Sequence, residues 1–234
     1  MSRDSAWESV QLLAEPTRRA LYDACRRSSA PLTREELAGA VGISRRLAAF
    51  HLDLLADAGL LSVDYARPAG RTGPGAGRPA KRYAGSHVDL ELSVPPRRYE
   101  VAARVMARGL SEAAVRGTDA LETTFAVAHD EGERVGALRR PGKRLSAKAT
   151  TDLAMDVLTD LGYEPQRATG GCVHLCNCPF DSVVDVATDV VCGFNVRFVS
   201  GILDGIGGDP SVQAELDPAP DRCCVVLSRD GRAR

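Results

Sequence analysis

The stretch Leu32-Thr33-Arg34-Glu35-Glu36-Leu37-Ala38-Gly39-Ala40-Val41-Gly42-Ile43-Ser44-Arg45-Arg46-Leu47-Ala48-Ala49-Phe50-His51-Leu52 holds two helices and the turn between them. Thr33 and Glu36 have capping-box spacing, in which each side chain satisfies a backbone N–H of the other's position. Gly42 suits the left-handed position just past a helix end. Ser44 can cap a following helix that runs to about Ala58 and is closed by Gly59. Two short helices joined by Val41-Gly42-Ile43-Ser44 form a helix-turn-helix. On the second helix Ala48, Leu52 and Leu55 share the face that should bury. Arg45, Arg46, Ala49 and Phe50 lie towards the opposite side.

Upstream, residues 5–27 suit an amphipathic helix interrupted at Pro16, with Val10, Leu13, Ala20, Leu21 and Ala24 on its apolar side. Downstream, Leu60–Val63 and Lys81–Tyr83 read as two short strands. Between them lies Arg67-Pro-Ala-Gly-Arg-Thr-Gly-Pro-Gly-Ala-Gly-Arg78, rich in Gly and Pro and free of acids. That is the tip of a hairpin, the wing of a winged helix. Arg45 and Arg46, at the start of a recognition helix, can reach guanine edges or phosphates in a major groove. Ser44 adds a hydroxyl at a helix N-terminus, where anions bind. Arg67, Arg71, Arg78, Lys81 and Arg82 put five positive charges on the hairpin, suited to backbone or minor-groove contacts. Cys25 and His51 fall among core positions and are read as packing residues.

The rest of the chain divides by pattern. Residues 96–116 suit a helix with Tyr99, Ala102, Ala103, Met106, Leu110 and Ala113 on one stripe, small enough for close helix approach and so a candidate dimer helix, with packing inside its own subunit as the alternative. Gly136–Lys143 is basic and turn-rich and marks a boundary. Beyond it the sequence predicts a helix over 146–161 and two short strands within 166–175. A helix over 180–206, broken near Cys192-Gly193, and closing strands over 211–216 and 223–227 complete the prediction. The expected fold class is α+β. It comprises a winged helix-turn-helix over 1–95, dimerisation and linker helices over 96–135, and a small cysteine-rich α+β domain over 136–234.

Charge supports that division. The net charge of −1 hides two unequal parts: residues 151–234 carry 6 basic against 13 acidic side chains, leaving 24 against 18 in residues 1–150. A basic front suits a polyanion and an acidic rear does not. No run approaches the roughly 20 apolar residues of a membrane span, and the N-terminus lacks the apolar region of a secretory signal. The expected location is the cytoplasm, where thiols stay reduced.

Six of the seven cysteines fall in the last third of the chain: Cys172, Cys176, Cys178, Cys192, Cys223 and Cys224. Cytosolic thiols at this density read as ligands or sensors rather than disulfides. Thiolate sulfur is soft and suits zinc or iron–sulfur clusters. Cys178 precedes Pro179, and a Cys-Pro pair is common at cluster sites. If 172–178 is extended, Cys172, His174, Cys176 and Cys178 share one face and Val173 and Leu175 the other.

The residues Glu15-Pro16-Thr17-Arg18-Arg19-Ala20-Leu21, the helix pair, and Gly77-Arg78-Pro79-Ala80-Lys81-Arg82-Tyr83 resemble ArsR-type winged-helix regulators. The likeness extends over most of the chain and is closest to the SufR-like branch of iron–sulfur repressors. That branch has a similar Asn-Cys-Pro-Phe motif, a second cysteine about a dozen residues on and a third near a C-terminal strand. The resemblance implies Cys178, Cys192 and one of Cys223 or Cys224 as ligands of a 4Fe–4S or 2Fe–2S cluster. His174, Cys176 or Cys172 could supply a fourth ligand.

The expected function is a homodimeric repressor that binds a double-stranded DNA operator and senses redox or iron status. Zinc, a small-molecule effector and a metal-free thiol switch are alternatives for the C-terminal domain. A thiol or iron–sulfur enzyme is a further alternative, but no acid–base pair accompanies the cysteines. There is no Ser/His/Asp set, phosphate loop or dinucleotide fingerprint. Asp152, Asp156 and Asp160 read as a solvated helix face, and His129 with Asp130 and Glu131 as a helix end.

Overall fold

The structure, a computed structural model, describes residues 3–66, 79–88 and 90–229. It divides into two compact units, Met1–Leu92 and Ser93–Arg234. Each has its own core.

In the first unit Pro16 separates two helices, α1 (Arg3–Ala14) and α2 (Pro16–Arg27). Proline is tolerated at the first helical position because its missing N–H has no intrahelical partner there. Glu15 caps α2, its carboxylate accepting from the backbone N–H of Thr17 at 3.0 Å and of Arg18 at 2.6 Å. After β1 (Leu32–Thr33), the capping box of Thr33 and Glu36 forms in full and opens α3 (Arg34–Val41). Gly42 ends it at φ 75°, donating to Ala38 O at 2.9 Å. Ser44 Oγ accepts from Leu47 N–H at 3.2 Å and opens α4 (Arg45–Asp57). Strands β2 (Leu61–Ala66) and β3 (Ala80–Gly85) pair antiparallel, with β1 on the other side of β3. Both run longer than the sequence pattern indicates. Leu21, Leu37, Leu52, Leu55, Leu60 and Tyr83 fill the core between helices and sheet. Cys25 lies in the same core, and burial pushes its thiol up to about 12.

The second unit starts with α5 (Tyr99–Arg116) and α6 (Ala120–Ala137). Then come α7 (Ala147–Asp160), β4 (Pro165–Arg167), β5 (Val173–Leu175), α8 (Asp181–Val184), α9 (Thr188–Gly205), β6 (Val212–Leu216) and β7 (Val225–Arg229). The four strands form one antiparallel sheet in the order β4-β5-β7-β6. A single core joins this sheet to the helices, with Val105 of α5 and Val127 of α6 beside Phe194, Phe198, Val225 and Leu227.

Two expectations need correction. Helix α9 is not broken at Cys192-Gly193; the break lies earlier, between α8 and α9. Gly193 is there for packing: a Cβ on it would lie 2.4 Å from the Phe125 ring. The same holds along the α6–α9 contact. A Cβ on Gly132 would meet Phe198 O at 2.0 Å, and one on Gly201 would meet His129 O at 2.0 Å. Glycines four apart on both helices (132 and 136, 201 and 205) let the two backbones touch. Second, the run 172–178 is not one extended strand. β5 stops at Leu175, and a bend at Cys176-Asn177 follows.

Candidate functional site

Two sites emerge, one in each unit. In the first, α4 presents Ser44, Arg45, Arg46, Leu47 and Phe50 to solvent, with Phe50 59 % exposed, while Ala48, Leu52 and Leu55 are fully buried. Ala49 is half-buried. Among the described residues Arg45 and Arg46 have no ion-pair partner, so both guanidinium groups are free for an anion. His51 is buried, edge-on to Phe50.

The basic residues of β3 are differently placed. Lys81 Nζ lies 2.5 Å from Asp53, and Arg82 lies 2.6 Å from Asp64. Asp53 is the centre of a network that sequence reading missed. Arg34 donates to both its oxygens, at 2.9 and 2.8 Å, and the Tyr83 hydroxyl donates to it at 2.7 Å. Burial raises the Asp53 pKa, but hydrogen bonds from Lys81, Tyr83 and Arg34 outweigh it and hold the carboxyl below its ordinary value. This network ties α3, α4 and β3 together and so fixes how α4 stands on the sheet. Arg67, Arg71 and Arg78 lie outside the described residues.

In the second unit four cysteines from three segments come together. Cys178 and Cys223 shift each other's pKa, and Cys224 shifts those of Cys223 and Cys192, so the four thiols are neighbours. The backbone explains the convergence. Cys223 N–H donates to Leu175 O at 2.9 Å, which sets the start of β7 beside the end of β5. Cys224 O accepts from Asp217 N–H at 2.8 Å. Cys192 enters from the second turn of α9. The bend after β5 turns Cys178 onto the core side, whereas Val173 and Leu175 bury and His174 is half-exposed. The chain of thiols does not include His174 or Cys176, and Cys172 is buried at the head of β5. Because β5 ends at Leu175 and the chain bends at Cys176-Asn177, the single face expected for Cys172, His174, Cys176 and Cys178 does not run on to Cys178.

The bend is held by Asn177, 8 % exposed. Its Nδ2 donates to Gly162 O at 2.5 Å and Pro96 O at 3.0 Å, and its Oδ1 accepts from Arg97 at 2.5 Å. Arg97 also donates to Cys178 O at 3.2 Å and pairs with Asp181. Behind the thiols, Asn195 Nδ2 lies 3.3 Å from Cys223 Sγ, and its Oδ1 accepts from the Tyr163 hydroxyl at 2.6 Å. Asn195 carried a readable signal: it is the polar residue on the apolar stripe Val191, Phe194, Phe198, Ile202.

Cys178, Cys192 and Cys223 are held towards the neutral thiol. The hydrogen bond with Cys223 and then burial push Cys178 up, and burial raises Cys192. For Cys223 the bond with Cys178 lowers the pKa, yet Cys224 and burial bring it up to about 11. Deprotonating one of several crowded, half-buried thiols is costly unless a cation shares the site, and a metal reverses that balance. Four sulfur donors from three segments fit a soft metal group by their chemistry. On α6, His129, Asp130 and Glu133 bring their ligand atoms within 4.8 Å of one another, and His129 pairs with Asp204 of α9 at 2.9 Å. His129 thus sits mid-helix, not at a helix end.

Residues 13–64 match the helix-turn-helix domain family. The match runs from α2 into β2, so the first unit contains a helix-turn-helix domain, which suggests a DNA-binding regulator. No curated protein and no solved structure matches the chain. No helix among the described residues is long and apolar enough to cross a membrane.

Proposed function

We propose that this protein is a homodimeric transcriptional repressor of the cytoplasm that binds operator DNA through its first unit and senses redox or iron status through an iron–sulfur cluster in its second. The observation that carries the DNA reading is the exposure of Arg45 and Arg46 at the start of α4, without an ion-pair partner among the described residues and within the matched helix-turn-helix. These side chains neutralise phosphates or read guanine edges, and Phe50 beside them offers an apolar contact to a thymine methyl. Two copies would set two such helices about 34–36 Å apart, one turn of duplex. The exposed side of α5, where Ala103, Ala107, Leu110 and Ala114 follow at helical spacing, is the face we assign to the dimer.

The sensing reading rests on the joined thiols of Cys178, Cys192, Cys223 and Cys224, together with the resemblance of their sequence setting to iron–sulfur repressors. A bound cluster supplies a redox-active centre that forms and decays with iron supply and oxidants. The protein's own part is to present sulfur at the core that also holds Phe180 and Phe194, and to fix the Cys178 loop through Asn177 and Arg97. Regulation requires that the two cofactor states differ in their affinity for DNA.

The test is protein purified without oxygen. Iron, acid-labile sulfide and a brown colour are expected, with duplex affinity that falls steeply with salt and differs between loaded and stripped protein. A colourless protein with stoichiometric zinc would replace the cluster by a structural metal, and salt-independent DNA affinity would overturn the regulator reading.

A further inference from the structure

Asn195 lies on α9 three residues after Cys192 and is 1 % exposed. A buried amide among Phe194, Phe198 and Val199 costs free energy unless both its ends are satisfied. One end is met by the Tyr163 hydroxyl at 2.6 Å and the other by Cys223 Sγ at 3.3 Å. Tyr163 is fully buried, and its hydroxyl is the donor in that bond. Oδ1 of Asn195 accepts it, and the amide N–H is left facing sulfur. A thiol is a weak acceptor. A thiolate is a strong one, since charge roughly doubles a hydrogen bond. The amide is oriented for the ionised state of Cys223, the state in which cysteine ligates a metal.

We propose that Asn195, oriented by Tyr163, is a positioning residue that holds Cys223, rather than Cys224, as a thiolate ligand of the cluster and raises the cluster's reduction potential through its N–H···S hydrogen bond. This rests on the cluster reading above. A donor on a ligand sulfur draws off electron density and so favours the reduced state, which carries more negative charge. Cys223 is also the deeper of the adjacent pair, 2 % exposed against a half-buried Cys224.

The experiment compares wild type, Asn195→Leu, Tyr163→Phe and Cys223→Ser, all purified without oxygen. Iron and sulfide content, midpoint potential and the rate of iron loss to a chelator are measured. Cys223→Ser loses iron and sulfide. Asn195→Leu shifts the potential to more negative values and loses iron about tenfold faster, the scale of one hydrogen bond to a charged group. Tyr163→Phe moves both readouts the same way by less. It removes a single hydroxyl, so it carries the comparison if Asn195→Leu does not fold. Loaded Asn195→Leu and Tyr163→Phe proteins with wild-type potential and loss rate overturn the role of Asn195 while the cluster reading stands. A Cys223→Ser protein with full iron and sulfide overturns the ligand assignment. A wild type without iron and sulfide overturns the cluster reading and this proposal with it.

Discussion

Arg97 donates from Nη1 to the side-chain oxygen of Asn177 at 2.5 Å, joining the segment that leads into α5 to the loop that carries Cys178. The second guanidinium nitrogen reaches Asp181, and the Arg98 N–H donates to Pro179 O at 2.9 Å. The loop is thus bolted to the segment that leads into α5. Arg97→Ala should lower the stability of the second unit by about 2 kcal/mol, the scale of hydrogen bonds to a charged group. It should also speed amide exchange over 176–181. Arg97→Lys should rescue little, because an ammonium cannot fork between Asn177, Cys178 and Asp181. Urea denaturation and hydrogen exchange read both effects. Unchanged exchange in Arg97→Ala would show that the loop holds itself.

Asp53 gives the first unit a pH dependence of known sign. Its native pKa is lowered, because hydrogen bonds from Lys81, Tyr83 and Arg34 outweigh the effect of burial. Its stabilisation is therefore fully present above its unfolded value, about 3.9. It is lost as pH falls through the lower native value. The side chain is 43 % exposed, so solvent screens part of the effect. Asp53→Asn should destabilise the unit at neutral pH by about 1–2 kcal/mol. It should also flatten the acid limb of stability. Parallel acid limbs in the two proteins would move the effect to other carboxylates.

Much of the first unit was legible because its signals are local. Thr33 with Glu36, Gly42, Ser44 and Gly59 each act within a few residues, and each forms the cap expected of it. The Asp53 network was hidden because its partners come from 19, 28 and 30 residues away in sequence. In the second unit the strands and α7 followed from pattern. The misreadings had physical causes. Gly193 looks like a helix breaker, yet it is required by the Phe125 ring. The bend at Cys176-Asn177 depends on carbonyls of Pro96 and Gly162, which no local pattern encodes. The small residues of α5 serve two faces: Ala102, Gly109 and Ala113 bury within the unit, while Ala103 and Leu110 remain exposed.

The basic residues of the first unit should separate into two classes in DNA titrations. Arg45 and Arg46 are exposed and unpaired among the described residues, so Arg45→Ala or Arg46→Ala should weaken binding. Each should reduce the salt slope by about 1 if it contacts phosphate. A base-reading arginine would instead cost about 1–3 kcal/mol at one operator position. Lys81 is occupied by Asp53 and lies over the Tyr83 ring at 5.1 Å. Lys81→Ala should therefore lower unfolding stability and leave the salt slope unchanged. A slope that falls in Lys81→Ala as it does in Arg45→Ala would mean that Lys81 releases Asp53 on binding DNA.

Glycines in helices should divide by what their missing side chains face. A Cβ on Gly201 would lie 2.0 Å from His129 O and 2.8 Å from Glu133 N, both backbone atoms of a packed helix. No rotamer relieves that clash, so α6 and α9 must separate, losing contact along the core of the second unit. Overpacking of this kind costs about 1–3 kcal/mol and more where the backbone must shift. Gly201→Ala should therefore destabilise the second unit by about 3 kcal/mol. Gly39, inside α3, has no atom within 4 Å of its Cβ position. There the folded state gains nothing from glycine and the unfolded chain gains entropy from it, so Gly39→Ala should stabilise the first unit by about 0.5–1 kcal/mol. The two substitutions are chemically identical and opposite in expected sign. Chemical denaturation followed separately in each unit decides between them, and a Gly201→Ala protein as stable as wild type would mean that α6 and α9 do not pack backbone to backbone.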